Sequence, residues 1–311
     1  MIRTLEHDDI PAAAAIWREL RPDAVHSEEG LRHLIESMPE RAQTGAWVAV
    51  DGGSVVGWGF AHRRWWRASN TANAWLGVLP AARGRGLGSA LLRAVEAHAG
   101  ALDVERLFTN VVDAEGERFA GARGFEATGS DVISAVDPRL VDLGDLPARE
   151  ARAGRDGYRL ATFSDVDAHA LYRLDVETSD DMPGGDAPHE LSFEEWSAEV
   201  LERPDLALDG SFAVVSGGLP VALCALAVDR AGRRGRNDGT GTDREHRGRG
   251  LATLVKLASI RWAVANGIER IVTDNEAGNA PMLAVNERLG YRRFLERQRL
   301  VKELGEAGTA S

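Results

Sequence analysis

A mixed α/β (α+β) chain holding two copies of one domain is the fold that this sequence predicts. Two observations carry that prediction. Apolar stretches that alternate about Gly-Gly pairs are interspersed with longer helical stretches, which makes a layered α/β or α+β domain. Four landmarks also recur in the same order. "IRTLEHDDIPAAA" (2–14) answers "YRLATFSDVDAHA" (158–170), and "WVAVDGGSVVG" (47–57) answers "FAVVSGGLPVA" (212–222). "RGRGL" at 83–87 returns unchanged at 247–251, and "RGF" (123–125) answers "LGY" (289–291). Ordered landmarks at this spacing mean a duplicated domain and not a short-period solenoid. The length of 311 residues suits two domains of ordinary size. We place them at 1–139 and 157–304, with a linker at 140–156 and a flexible tail at 305–311.

Each copy reads the same way. A short strand (2–6; 158–162) meets a helix that Asp9 or Asp165 is placed to N-cap. A second helical region follows at 28–37 and 191–202. Gly-Gly between alternating apolar residues then marks a hairpin. Next come a strand ("AWLGVLP", 74–80; "DGTGTD", 238–243), an Arg/Gly turn and a long helix (88–99; 252–266). A buried strand (106–112; 270–275), another helix and a last strand after Gly-Phe or Gly-Tyr complete the copy. The second copy is longer by about nine residues near 175–196, the sort of specialised loop that often carries binding.

Composition limits the function. Asp and Glu outnumber Lys and Arg, 48 to 37, for a formal charge of −11. That speaks against nucleic acid, whose binding depends on phosphate neutralisation, and against anionic membranes. The single cysteine, Cys224, lies in the apolar run "VALCALAV" and is expected in the core. One cysteine leaves no intrachain disulfide and no cysteine-based metal site, and no metal is expected. The polar N-terminus and the lack of a membrane-length apolar run predict a cytoplasmic protein. Lys256 and Lys302 are the only lysines. With abundant Ala and Gly, that bias suits a GC-rich genome of actinobacterial type.

The chemistry concentrates at the turn. Arg83-Gly84-Arg85-Gly86-Leu87-Gly88-Ser89 and Arg247-Gly248-Arg249-Gly250-Leu251-Ala252 each follow a strand and open a helix. A helix N-terminus presents N–H groups without intrahelical partners. Glycine lets backbone approach a ligand, and arginine adds forked donors. Together they predict a phosphate or pyrophosphate site. No Gly-Lys-Ser/Thr follows, so it is no P-loop, and the glycines do not give the Rossmann spacing.

These residues resemble the (Arg/Gln)-x-x-Gly-x-(Gly/Ala) signature of the GNAT N-acetyltransferase superfamily. "NAPMLAVNERLGY" (279–291) is similar to that family's later Asn/Tyr stretch. The resemblance covers nearly the whole chain, twice. It implies two tandem acyl-CoA N-acyltransferase domains, each a mixed, largely antiparallel twisted sheet flanked by helices. It implies acetyl-CoA as co-substrate, its pyrophosphate on the two turns and its pantetheine arm along the strands at 74–80 and 238–243, where Val78 and Thr242 contact it. The family's Asn corresponds to Asn279, which also suits an N-cap ahead of Pro281, and to Asp113 in the first copy. The family's proton-donating Tyr is replaced by Asn286 and Ala120. Asp238, Asp243 and Asp274 are candidate bases, of which Asp238 and Asp274 are carried forward. The second copy is expected to be catalytic and the first to bind acetyl-CoA or serve structurally.

The expected reaction is direct attack of a small-molecule amine on the thioester. Mycothiol synthase, a tandem member of similar length, leaves acetylation of a cysteinyl amine as an alternative. A coenzyme A-sensing protein without turnover is another. Ten acids and no Lys or Arg lie between 174 and 202. They are either a solvated face or a funnel for a cationic acceptor in which Glu177, Asp180 and Asp181 contact substrate. His189 is expected at the surface, and Trp65 and Trp66 in packing. A monomer or homodimer is expected.

Overall fold

The computed structural model describes residues 1–66, 70–180 and 191–304. The first copy folds as β1 (Ile2–Thr4), α1 (Ile10–Leu20), α2 (Glu28–Glu36), β2 (Gly45–Asp51), β3 (Ser54–Arg63), β4 (Thr71–Val78), α3 (Leu87–Ala101), β5 (Arg106–Val111), α4 (Ala114–Gly121) and β6 (Glu126–Val136). A helix absent from that series, α5 (Leu146–Arg155), comes next. The second copy is β7 (Arg159–Thr162), α6 (Ala168–Asp180), α7 (Phe193–Trp196), β8 (Phe212–Ser216), β9 (Leu219–Asp229), β10 (Arg234–Thr242), α8 (Leu251–Ala265), β11 (Arg270–Glu276), α9 (Ala280–Arg288) and β12 (Arg292–Glu303).

Local chemistry accounts for most boundaries. The Gly-Gly pairs have positive φ at both residues, +57° and +83° at Gly52 and Gly53, +58° and +87° at Gly217 and Gly218. Two left-handed residues in succession make the turn whose twist suits a two-residue hairpin. Ser192 and Glu195 form the reciprocal capping box that starts α7. The expected aspartate caps of the first helices differ. Asp9 gives its carboxylate to Arg3, at 2.5 and 2.8 Å, and to the Glu6 N–H. Asp165 accepts from Thr162 Oγ1, and Asp167 is the residue that accepts the Ala170 N–H, at 2.9 Å.

The chain forms two compact units. One comprises Met1–Ala24, Glu28–Asp131 and the chain from Glu296 onward; the other comprises Val25–Ser27 and Val132–Leu295. In the first unit the strands run β1-β2-β3-β4-β5, and β5 is followed by the end of β12 and then β6. Residues Gln298–Glu303 of β12 pair antiparallel with Val111–Arg106 of β5. In the second unit the order is β7-β8-β9-β10-β11, and β11 is followed by the later part of β6. The two last strands are therefore exchanged. Along the chain the repeat changes over near residue 139; in space it changes over inside β6 and again inside β12.

The cores confirm the exchange. Leu300 of β12 is buried with Leu107, Leu102, Val104 and Phe125 in the first unit. Ile133 of β6 is buried with Val25 and Val272 in the second. Strand β9 is buried along nearly its whole length, because α8 packs on it and so does α6. Cys224 on this strand is fully buried, as its apolar context predicts. Helix α5, within the segment read as a linker, buries Leu146 and Ala153 in the same core.

His62 on β3 is 4% exposed and lies beside Phe60 and Trp66. Burial pushes its pKa from 6.5 down to about 4; the Arg63 carbonyl opposes this and the Arg64 charge reinforces it. A histidine depressed by folding binds its proton more readily when unfolded. Its contribution is present in full above pH 6.5 and is lost as pH falls toward 4, by about 3 kcal/mol. Unfolding midpoints measured in urea between pH 4 and 7 should therefore slope more steeply in the wild type than in His62→Phe. Equal slopes would refute the assignment.

Candidate active site

The two turns are built alike from their residues upward. Arg83 Nε donates to the carbonyl of Val78 at 3.0 Å, and Arg247 Nε donates to that of Thr242 at 3.0 Å. One arginine of each turn thus ties it back to the end of the preceding strand. Gly84 and Gly86 have φ of +75° and +78°; Gly248 and Gly250 have +76° and +78°. Side chains rarely adopt this region, so the turn needs glycine at both positions. Gly86 and Gly250 are the N-cap residues of α3 and α8, and no side chain caps either helix. Their leading N–H groups suit an anion.

Strands β4 and β5 run parallel and pair only at Thr71–Arg106, Ala72–Leu107 and Asn73–Phe108. Beyond these pairs they separate. A cavity of about 340 Å³ opens there, between Leu76, Gly77 and Val78 on one strand and Asn110 and Val111 on the other. The turn residues Arg83, Gly84, Gly86, Gly88 and Ser89 line one end, and Leu20 and Arg21 also line the cavity. A Cβ on Gly77 would lie 2.6 Å from Leu20 Cδ1, so glycine lets α1 close on the strand. Arg123 stacks on Phe119 at 3.6 Å and donates to Ser89 Oγ at 2.8 Å. Among the described residues, Asn110 Oδ1 is buried with no hydrogen-bond partner. A buried acceptor in that state is costly, and this one belongs to a cavity wall. Arg21 makes a two-pronged pair with the buried Asp23, at 2.8 Å for each contact. Arg85 does not line the cavity; it pairs with Asp51, while Arg83 pairs with Glu115.

The second unit repeats the strand separation and fills it differently. Strands β10 and β11 pair at Arg234–Arg270, Gly235–Ile271 and Arg236–Val272, then part. A register shift between Asn237 and Gly239 brackets Asp238. Arg236 bonds Asp238 at 2.8 Å and Asp274 at 2.7 Å, so its guanidinium joins the two diverging strands. Arg203 bonds Asp238 at 2.6 Å and Asp205 at 2.9 Å. His26 lies 3.4 Å from Asp205. Burial opposes ionisation of Asp238, yet Arg203 and Arg236 outweigh it and hold this carboxyl below the usual range. A carboxylate so held is a weak base. Asp243 caps its own turn through the Glu245 N–H at 2.8 Å.

Asn279 is the N-cap of α9 and accepts from the Met282 N–H at 3.3 Å; Asp113 caps α4 through the Gly116 N–H at 2.7 Å. Asn286 is 1% exposed and donates to Asn275 Oδ1 at 2.7 Å, and Ala120 is buried. Tyr291, after the Leu-Gly pair, donates to Asn237 Oδ1 at 2.6 Å, with Lys256 over its ring at 5.2 Å. Glu177 and Asp180 are exposed on α6; Asp181 and His189 lie outside the described residues. Asp175, also in the acidic segment, accepts from Trp196 Nε1 at 2.8 Å and lines a 220 Å³ cavity with Asp238 and Arg203. Trp65 is buried and Trp66 half-buried, as packing residues. Asn110, Arg21 and Arg236 were missed in the sequence. For Asn110 the signal was its place 164 residues before Asp274, which was considered when its counterpart was not.

Among the described residues no group of three or more His, Cys, Asp or Glu could hold a metal ion, and no helix is long and apolar enough to cross a membrane. Paired Arg/Gly turns beside separated parallel strands define an acyl-CoA acyltransferase type of fold. The family model described as "Acetyltransferase (GNAT) family" matches residues 12–125 and again 168–291, and the chain belongs to that family. No curated protein matches by sequence. Among solved structures it is similar to a tandem GNAT protein from the clavulanic acid biosynthesis pathway, at 20% identity and a TM-score of 0.75, covering 97% of this chain and 98% of that one. It is also similar to a GCN5-related N-acetyltransferase from Sphaerobacter thermophilus, at 19% identity and a TM-score of 0.65, covering 97% and 95%. These likenesses show the tandem fold.

Asp205 is 1% exposed between Arg203 and His26. Removing one member of a buried pair strands the others, at a cost of about 3–5 kcal/mol. Asp205→Ala should lower stability by that amount in urea unfolding. A loss below about 1 kcal/mol would mean that the network is only a surface pairing.

Proposed function

We propose that the protein is an N-acetyltransferase that moves acetyl from acetyl-CoA to a small-molecule amine, and that acetyl-CoA binds in the first unit. The observation that carries the reading is the cavity between β4 and β5, with its glycine turn at one end and the unpartnered Asn110 Oδ1 in its wall. A pantetheine arm carries amide N–H groups that such an oxygen can accept. A pyrophosphate suits the uncapped N–H groups of α3, with Arg83 and Arg123 at the same cavity. The sequence had favoured the second copy for transfer. The Arg236 bonds to Asp238 and Asp274 favour the first instead, since they occupy the strand separation that a thioester would need.

Acetyl-CoA supplies an activated thioester. The amine nitrogen forms the new bond to the acetyl carbon, the carbon–sulfur bond breaks, and the ammonium proton is lost to solvent. Backbone N–H groups of the separated β4 are suited to the oxyanion, and Leu20 and Leu76 limit water. The β4 and β5 walls of the cavity carry Trp75, Leu76, Gly77, Val78, Asn110 and Val111, none of them a base, and the cavity's two carboxylates are engaged, Asp113 as the cap of α4 and Glu115 with Arg83. The reading therefore needs an acceptor that reaches the site as the free amine.

The deciding experiment is thiol release from acetyl-CoA over a panel of polyamines, aminoglycosides, amino acids and cysteinyl compounds, with Gly86→Glu and Gly250→Glu in parallel. Both variants place the same side chain at the same φ of +78°, so strain is matched, and thermal melts check folding. Loss in Gly86→Glu with retention in Gly250→Glu is expected; the reverse assigns transfer to the second unit. Release with cysteinyl compounds alone would select the mycothiol synthase-like reading. Coenzyme A binding without release would select sensing.

The pH profile gives an independent check. With no enzymic base, kcat/KM should rise tenfold per pH unit up to the acceptor's own pKa and move with it across a series of amines. A limb that stays fixed whichever amine is used would show an enzyme group at work.

A further inference from the structure

The cavity of the first unit passes through the sheet. On β4, Leu76 and Val78 pack with Leu87 and Leu91 of α3. Alternate residues of a strand point to opposite faces. Trp75 and Gly77 accordingly meet α1, Trp75 on the Trp17 ring at 4.9 Å and Gly77 against Leu20. Residues of both sets line the cavity. It therefore joins the Arg/Gly turn on one face of the sheet to the end of α1 on the other. In the proposed reaction the coenzyme occupies the turn face, so the acceptor comes from the α1 face.

Arg21, the residue that ends α1, lines the cavity and is 6% exposed. Its guanidinium is held from behind. Nε and Nη2 each donate to Asp23 at 2.8 Å. Asp23, 1% exposed, also accepts from Arg297 Nη1 at 3.4 Å, and Arg297 bonds Asp131 at 2.9 Å. Two nitrogens of the fork are thus committed to Asp23. Among the described residues, Nη1 makes no hydrogen bond. In the second copy the match that sets Tyr158 against Ile2 sets Glu177, exposed on α6, against Arg21. The repeat therefore does not need a cation at this place to fold.

A guanidinium fixed in orientation and largely desolvated, with a nitrogen to spare, is a partner for a carboxylate and repels an ammonium. Resting on the proposed reaction, we infer that its acceptor is an amino acid whose carboxylate binds Arg21 while its amine reaches the thioester between β4 and β5. Bond making is unchanged. The amine nitrogen joins the acetyl carbon, the sulfur leaves with the bonding pair, and the ammonium proton goes to solvent. Arg21 binds and orients, and it also eases the loss of that proton. A carboxylate beside an ammonium holds the proton in place, and pairing the carboxylate with Arg21 cancels that hold. The effect fits a cavity whose own carboxylates are engaged, Asp113 with the Gly116 N–H and Glu115 with Arg83. Polyamines and aminoglycosides bring only cations to this face and are poor acceptors.

The test compares L-amino acids with their own amides, which keep the amine and the side chain and lack the carboxylate. Two readouts are taken on the full chain. One is thiol release from acetyl-CoA, with rates per free amine. The other is calorimetric binding of the same compounds, which needs no turnover. Removing Arg21 alone would strand the buried Asp23. The main variant is therefore Arg21→Met with Asp23→Asn, whose amide oxygen can still accept from Arg297, and a thermal melt verifies that it folds. Arg21→Lys keeps the charge without the fork. At least one amino acid should exceed its amide about tenfold or more in affinity and in kcat/KM, mostly through KM. The double variant should bring that ratio close to one and leave KM for acetyl-CoA unchanged, while Arg21→Lys should retain part of the preference. Thiol release with amides or polyamines that matches release with amino acids would overturn the inference and leave the reaction standing. So would a preference for amino acids that survives the double variant. Amino-acid binding that the double variant abolishes, with no thiol release from any amine, would refute the reaction and uphold the carboxylate site. Neither binding nor release would overturn both.

Discussion

The point at which two parallel strands stop pairing governs both candidate sites. In each unit the pairing lasts three residues and then ends, after Asn73–Phe108 in one and Arg236–Val272 in the other. Backbone N–H and C=O groups beyond that point lose their ladder partners, and buried groups of this kind require replacements. In the proposed reaction, a substrate arm that carries its own amides answers the requirement in the first unit. In the second unit side chains span the separation instead, through the ion pairs of Arg236 with Asp238 and Asp274. One backbone device thus yields a cavity in one copy and an ion network in the other.

The side chains that decide between these outcomes are few. Ala72 and Ala74 of β4 stand where β10 has Arg236 and Asp238. Two alanines leave the separation open to apolar or amide contacts. An arginine and an aspartate close it with charge, and they need further charge to stay buried. That explains Arg203, Asp205 and His26 behind them: each ion in the series is the partner that the previous one requires. The same logic removes Asp238 from contention as a strong base. The guanidiniums that make it tolerable in its site also make it reluctant to take a proton.

What the sequence disclosed follows the range of the interactions involved. The hairpins, the Arg/Gly turns and the α7 capping box depend on residues within a few positions of one another. Gly-Gly and Ser-x-x-Glu signal them directly. Cys224 was legible from its apolar context. The helix cap at Asp167 was misread by two residues because "SDVDA" offers two aspartates and only the hydrogen bond tells them apart. The ion network was hidden because Arg203 and Arg236 lie on different elements, and nothing in either local stretch names the other. Asn110 escaped because a lone asparagine on a strand has no pattern; only an unsatisfied oxygen in a cavity wall marks it out.

The exchange of last strands is the strongest case of that limit. A repeat read along the chain assigns β6 to the first copy and β12 to the second, since each follows its own copy's Gly-Phe or Gly-Tyr. Which partner a strand takes is settled by edge register and by burial of residues such as Leu300 and Ile133. Those contacts span 193 residues between Leu107 and Leu300. Closing so long a loop costs only slightly more than closing a short one, because the entropy grows with the logarithm of length. The exchange therefore carries little penalty once duplication has put two equivalent last strands in one chain. It does change what a copy is. One wall of the first unit's cavity, β5, is paired along Arg106–Val111 by a strand from the far end of the sequence. The first unit's site thus depends on the second copy for its support, whatever chemistry the second copy performs.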